Sequence, residues 1–125
     1  MKKILVVDDE RDVEILFSQK FRKEIRNGEM ELNFAFNGDE ALAYLRSLNP
    51  FDLVVVLSDI NMPGMTGLEL LKIIKTEFKN LHVVMITAYG DEINYNRAML
   101  IGAEDFLTKP VDFKLLKEKV MKYLE

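Results

Sequence analysis

The chain has no cysteine among its 125 residues, so a disulfide framework, a thiolate zinc site and a thiol nucleophile are all excluded. Histidine is nearly as scarce. The only one, His82, stands at the entrance to an apolar run and reads as a structural residue at the end of a sheet remote from Asp59, not as a phosphohistidine. Long hydrophobic runs are absent too: none approaches the roughly 20 residues needed to cross a bilayer. The apolar start meets Asp8, Asp9 and Glu10 before it could form a signal-peptide core, so a cytoplasmic protein without membrane contact is expected. Charge of one sign is not in excess, with 17 basic against 21 acidic residues and a net charge of -4, which argues against a general nucleic-acid or anionic-membrane binder. A chain of this length makes one domain that buries roughly two thirds of its unfolded surface and needs no staple.

What the chain does have is a set of short apolar runs alternating with helical patterns. Runs of Val, Ile and Leu too short for helices predict buried parallel strands over 3–7, 53–58 and 82–86, with shorter ones over 31–36 and 105–107. Between them, helical spacing predicts a first helix over 11–26 with Val13, Leu16, Phe17, Phe21 and Ile25 inward, and a second over 40–48 after the turn Asn37-Gly38-Asp39. A third follows the loop 61–67 and carries Leu68, Leu71, Ile74 and Phe78. The fourth spans 91–101, and the fifth runs from 111 or 112 to 124 with Leu115, Leu116, Val120 and Tyr123 or Leu124 inward. Five successive β-then-α units imply an α/β doubly wound parallel sheet with helices on both faces. The expected organisation is a single domain over 1–125 with no second domain.

Parallel strands deliver their C-terminal ends to one edge, where such folds bind ligands. Here those ends carry Asp8 and Asp9, Asp59, Thr87, and Thr108 with Lys109. Three carboxylates drawn together repel one another unless a cation offsets them, and an oxygen-rich set suits Mg2+ with water and a phosphate oxygen completing its shell. Lys109 adds an ammonium and Thr87 a hydroxyl donor, the further groups a metal-bound phosphoryl group needs. Singly, each has a plainer reading: the Asp pair as a cap for the first helix, Thr87 as a turn residue, Lys109 as solvated surface. Their joint placement at one sheet edge favours the phosphate site.

The segments Ile4-Leu5-Val6-Val7-Asp8-Asp9-Glu10, Ser58-Asp59-Ile60-Asn61-Met62-Pro63-Gly64-Met65-Thr66-Gly67, Ile86-Thr87-Ala88 and Phe106-Leu107-Thr108-Lys109-Pro110, in this order, resemble a response-regulator receiver domain of two-component signalling over essentially the whole chain. The resemblance implies a flavodoxin-like sheet of order 2-1-3-4-5. It makes Asp59 the phosphoacceptor for a phosphohistidine of a sensor histidine kinase or a histidine phosphotransfer protein. Mg2+ would be held by Asp9 and Asp59, by Asp8 largely through water, and by the backbone carbonyl of Asn61. Lys109 would pair with the phosphate, across a cis Lys109-Pro110 bond. Thr87 and Phe106 correspond to a switch pair that alters the face made by the fourth helix, fifth strand and fifth helix, offered to a downstream target protein. Read from its strand alone, Phe106 is equally a core aromatic. Ala88 fits a position kept small for phosphoryl access, while Asn61 and Tyr89 fit positions that tune loss of phosphate to water. Bulky Tyr89 points to slow dephosphorylation, although a Tyr in a loop is also simply exposed. The resemblance implies a monomer or a phosphorylation-linked dimer.

The run between Asp52 and Asp59 is about two residues longer than the family pattern, so either the preceding loop absorbs the excess or the third strand begins earlier. Two other chemistries fit less well. A Mg2+-dependent phosphatase using Asp59 as nucleophile would want a second acid two residues on, where this chain has Asn61. A flavin carrier would want a Ser/Thr/Gly-rich phosphate loop after the first strand, where Asp8, Asp9 and Glu10 would repel the ligand.

Overall fold

A computed structural model describes residues 2–49, 51–88 and 90–125. Its elements run β1 (Lys2–Val7), α1 (Asp12–Lys20), α2 (Arg22–Arg26), β2 (Glu31–Ala35), α3 (Gly38–Ser47), β3 (Leu53–Asp59), α4 (Gly67–Glu77), β4 (His82–Thr87), α5 (Glu92–Ile101), β5 (Asp105–Thr108) and α6 (Phe113–Tyr123). The strands form one parallel sheet of order β2-β1-β3-β4-β5, as expected.

The central strands owe their apolar runs to burial on both faces. Leu5 and Val7 of β1, Val54 and Val56 of β3, and Val83 and Met85 of β4 pack beneath α3, α4 and α5. The alternate residues Ile4, Val6, Val55, Leu57, Val84 and Ile86 pack against Phe17, Phe21, Leu116, Val120 and Leu124 on the other face. Helix starts are set by side chains that accept from the first free N–H groups: Asn37 from Glu40, Thr66 from Glu69, Asp91 from Asn94, and Asp112 from Lys114 and Leu115.

Two expectations shift, and one open alternative is settled. The single helix over 11–26 is two, α1 and α2, broken at Phe21, whose backbone (φ -103°, ψ 12°) leaves the helical region while its ring is fully buried. With that break, Phe17 and Phe21 turn inward but Leu16 and Ile25 remain exposed. On α6, Leu116, Val120 and Leu124 are buried and Leu115 is exposed. The extra length before Asp59 lies in the strand itself: β3 begins early, pairing Leu53 with Lys2 and Val54 with Lys3, two residues before β4 starts opposite Val55. Register from Ser58 onward is untouched.

Candidate functional site

The C-terminal ends of β1 and β3 bring Asp8, Asp9 and Asp59 together, with one carboxylate oxygen from each within 4.8 Å of the others. Neighbouring register produces this directly, since Val7 pairs with Ser58 and the next residue of each strand is acidic. Asp8 and Asp59 are buried and Asp9 is exposed. Each buried carboxylate accepts one backbone N–H, Asp8 from Glu10 and Asp59 from Ile60, both at 2.9 Å. The Asp pair therefore does not cap α1, which begins after Arg11 without any side-chain cap.

From β5 the Lys109 Nζ reaches Asp59 at 3.3 Å and Asp8 at 3.9 Å. It is held there by its own N–H, which donates to the Thr87 carbonyl at 2.8 Å, and the Lys109-Pro110 bond is cis. Burial works against the ammonium, but the Asp59 and Asp8 charges outweigh it and its pKa lies above the ordinary lysine value. Burial pushes the Asp8 carboxyl up; the Glu10 N–H opposes this, the Asp59 charge adds to it, and Lys109 opposes it without restoring the ordinary value.

Thr87 ends β4 fully buried, and its Oγ1 has no hydrogen-bond partner among the described residues. A buried hydroxyl left without a partner costs about 1–3 kcal/mol, and this one lies at the sheet edge that carries the carboxylates. Ala88 follows it, exposed, and Asn61 is exposed just beyond Asp59. Phe106 is half-buried with its ring edge-on to Tyr95, centroids 4.8 Å apart. Tyr89 lies outside the described residues.

Gly67 has a role that periodicity did not show. A Cβ there would lie 2.0 Å from the Asp59 carbonyl oxygen, so α4 starts in direct contact with the backbone that carries the Asp59 carboxylate. Its N–H donates to Ile60 at 2.8 Å. The signal in the sequence was a glycine at the first position of a helix already capped by Thr66, where another residue would form helix better.

The three carboxylates, with an unpartnered hydroxyl at the same sheet edge, are a hard-oxygen donor set that fits Mg2+. Comparison with known proteins agrees with this chemistry. A family model described as "Response regulator receiver domain" matches residues 4–121. The chain is 37% identical over 123 residues to sporulation initiation phosphotransferase F of Bacillus subtilis, covering 98% of this chain and 94% of that one. It is 38% identical over 130 residues to chemotaxis protein CheY of Pseudomonas aeruginosa, covering 98% and 96%. Among solved structures, the response regulator TrrA of Thermotoga maritima in complex with Mg2+ and BeF superimposes with a TM-score of 0.80 at 35% identity, covering 99% of this chain and 100% of that one.

Proposed function

Because the chain belongs to the response-regulator receiver family, we propose that it accepts a phosphoryl group on Asp59 from a phosphohistidine of a partner kinase or histidine phosphotransfer protein. The observation that carries this reading is the Lys109 ammonium 3.3 Å from Asp59, inside a cluster of three carboxylates. An Asp59 carboxylate oxygen attacks phosphorus, the P–N bond to the donor imidazole breaks, and the leaving nitrogen keeps the electron pair. The product is an aspartyl phosphate.

Asp8, Asp9 and Asp59, with the Asn61 backbone carbonyl, would hold Mg2+, which when bound withdraws charge from the phosphoryl oxygens. Lys109 pairs with the phosphoryl group as a point charge. The N–H of Ile60, 2.9 Å from Asp59 Oδ1, fixes the carboxylate so that its other oxygen faces Lys109. Ala88 leaves room for the incoming group. The Thr87 hydroxyl, buried without a partner among the described residues, donates to a phosphoryl oxygen, and Phe106 follows it, altering the surface of α5, β5 and α6 that a downstream protein reads. The product is held and lost slowly to water, since Asn61 stands where sustained turnover would want a second acid. The receiver domain thus acts, in the cytoplasm, as a regulatory phosphoacceptor in a phosphorelay.

Incubation with Mg2+ and a small phosphodonor, followed by intact mass, should show one added phosphoryl group. The increment should vanish in Asp59→Asn and on chelation of the metal. Unchanged labelling of Asp59→Asn would overturn the acceptor assignment.

A further inference from the structure

Of its ten residues α5 buries only Ala98, while Ile93 (68% exposed), Tyr95 (43%), Met99 (40%) and Leu100 (88%) face solvent. Helical spacing sorts these residues onto two faces. Tyr95, whose ring meets Phe106 on the proposed switch surface, and Met99, four residues on, share one face. Ile93, Arg97 and Leu100 point the other way, and there α5 and α4 border a shallow, open groove of about 440 Å³.

Its apolar lining comes from Leu68 of α4 and from Leu100 and Ile101 of α5, with Lys72 on one side and Arg97 on the other. Both cations are exposed, and neither has an acid partner among the described residues. By contrast Lys75, on the same helix, is neutralised by Glu104 at 2.5 Å. Among the described lining residues there is one carboxylate, Glu69, which accepts from the Thr66 hydroxyl at 3.2 Å and keeps its charge. The result is an apolar furrow between two helices whose lining carries two cations without an ion-pair partner among the described residues and one carboxylate, a local excess of positive charge on a chain whose net charge is -4.

We propose that this groove docks an acidic amphipathic helix of a partner protein, on a surface separate from the Tyr95–Phe106 face. Such a helix presents apolar residues at i, i+3, i+4 and i+7 to a furrow of this kind, and acidic residues flanking that stripe meet Lys72 and Arg97. An anionic bilayer fits less well, because lipid recognition of this type uses clusters of about four to eight cations. The inference does not depend on the role given to Asp59.

The test uses two synthetic helix-forming peptides with one Leu pattern, flanked by Glu in one and by Lys in the other, titrated into the isotope-labelled full chain. The Glu peptide should shift the amide signals of Leu68, Lys72, Arg97 and Leu100. Two exposed ion pairs contribute little each, so Lys72→Glu with Arg97→Glu should weaken it by about fivefold, and the Lys peptide should then bind that variant better than the parent. Leu100→Ser, at a position too exposed to disturb the fold, should weaken the Glu peptide as well. Equal binding of both peptides by the parent chain, shifts centred on Tyr95 and Phe106, self-association in place of peptide binding, or response only to phosphatidylglycerol vesicles would each overturn the proposal. Phosphoryl uptake by the double-charge variant, read by intact mass, reports on Asp59 separately.

Discussion

Asp8 shows what drawing three carboxylates together costs at a single residue. The residue is 7% exposed and its carboxylate shares its surroundings with Asp59. Burial holds its pKa above the ordinary value of 3.8 in spite of the Glu10 N–H and Lys109. A carboxyl whose folded pKa is raised contributes stability below its unfolded value, and that contribution is lost as pH rises through the folded value. At neutral pH the ionised Asp8 therefore weakens the metal-free fold. Asp8→Asn, melted in chelator at neutral pH, should gain a few degrees, the size of about 1 kcal/mol in a domain of this length. The gain should shrink as pH is lowered through the raised pKa of Asp8, and stabilisation by added Mg2+ should be reduced in the variant. A gain that stays constant with pH, or a lower melting point, would contradict this account. That Asp8, Asp9, Asp59 and Lys109 come together was legible in the sequence because all of them end apolar runs at one sheet edge, although singly each has a plainer reading. The orphaned hydroxyl of Thr87 was not, since a threonine after a strand looks the same whether or not it is bonded.

At the scale of elements, the site depends on how closely α4 approaches β3. The Gly67 position leaves no space for a side chain, with an added Cβ 2.0 Å from the Asp59 carbonyl oxygen and 2.7 Å from the Ile60 Cα. Backbone cannot rotate aside as a side chain can, so Gly67→Ala must push the start of α4 away from the acceptor strand. Overpacking usually costs about 1–3 kcal/mol, and a clash with backbone belongs at or above the top of that range, so a loss of about 3 kcal/mol is expected in urea unfolding. Gly64 is the control. Its φ of +74° strains any other residue, but an added Cβ meets nothing within 4 Å. Gly64→Ala should lose about 1–2 kcal/mol and still take up phosphate. Equal losses at the two positions would show that conformational strain, not contact with β3, explains Gly67. The break between α1 and α2 belongs to this scale too. Apolar spacing continues through Phe21, and only tertiary packing, with the Phe21 ring stacked near Phe17 at 6.1 Å, reveals that Leu16 and Ile25 turn outward.

Across the whole molecule, a parallel sheet has a direction, and its two ends do different things. Alternation of strand-like and helix-like patterns was enough to read a doubly wound sheet. The order β2-β1-β3-β4-β5 was not contained in those patterns and came from family resemblance, because a run such as 53–58 does not say which strand lies beside it. The polarity was legible: strand C-termini carried the acids, the threonine and the lysine, whereas His82 opened a strand. The structure puts His82 at the start of β4, opposite Val55, while Asp59 pairs with Ile86 farther along the same ladder. Volume alone would mislead here, since a cavity of about 630 Å³ opens at the His82 end, lined also by Tyr123 and Arg46. His82 tilts against Tyr123 with centroids 5.1 Å apart and lies 3.5 Å from the Glu104 carboxylate, itself bonded to Lys75 and to the Val83 N–H. These contacts fasten the C-terminal end of α6 to the entry of β4. His82→Gln keeps a polar group facing Glu104 but removes the ring, so it should cost about 0.5–1.5 kcal/mol, the usual worth of an aromatic pair, read as a lower melting point. Phosphoryl uptake at Asp59, followed by intact mass on the folded variant, should match that of the parent chain. If a folded His82→Gln protein lost uptake, the division of the sheet into a chemical end and a structural end would be wrong, and the only histidine would have to be brought into the phosphoryl chemistry.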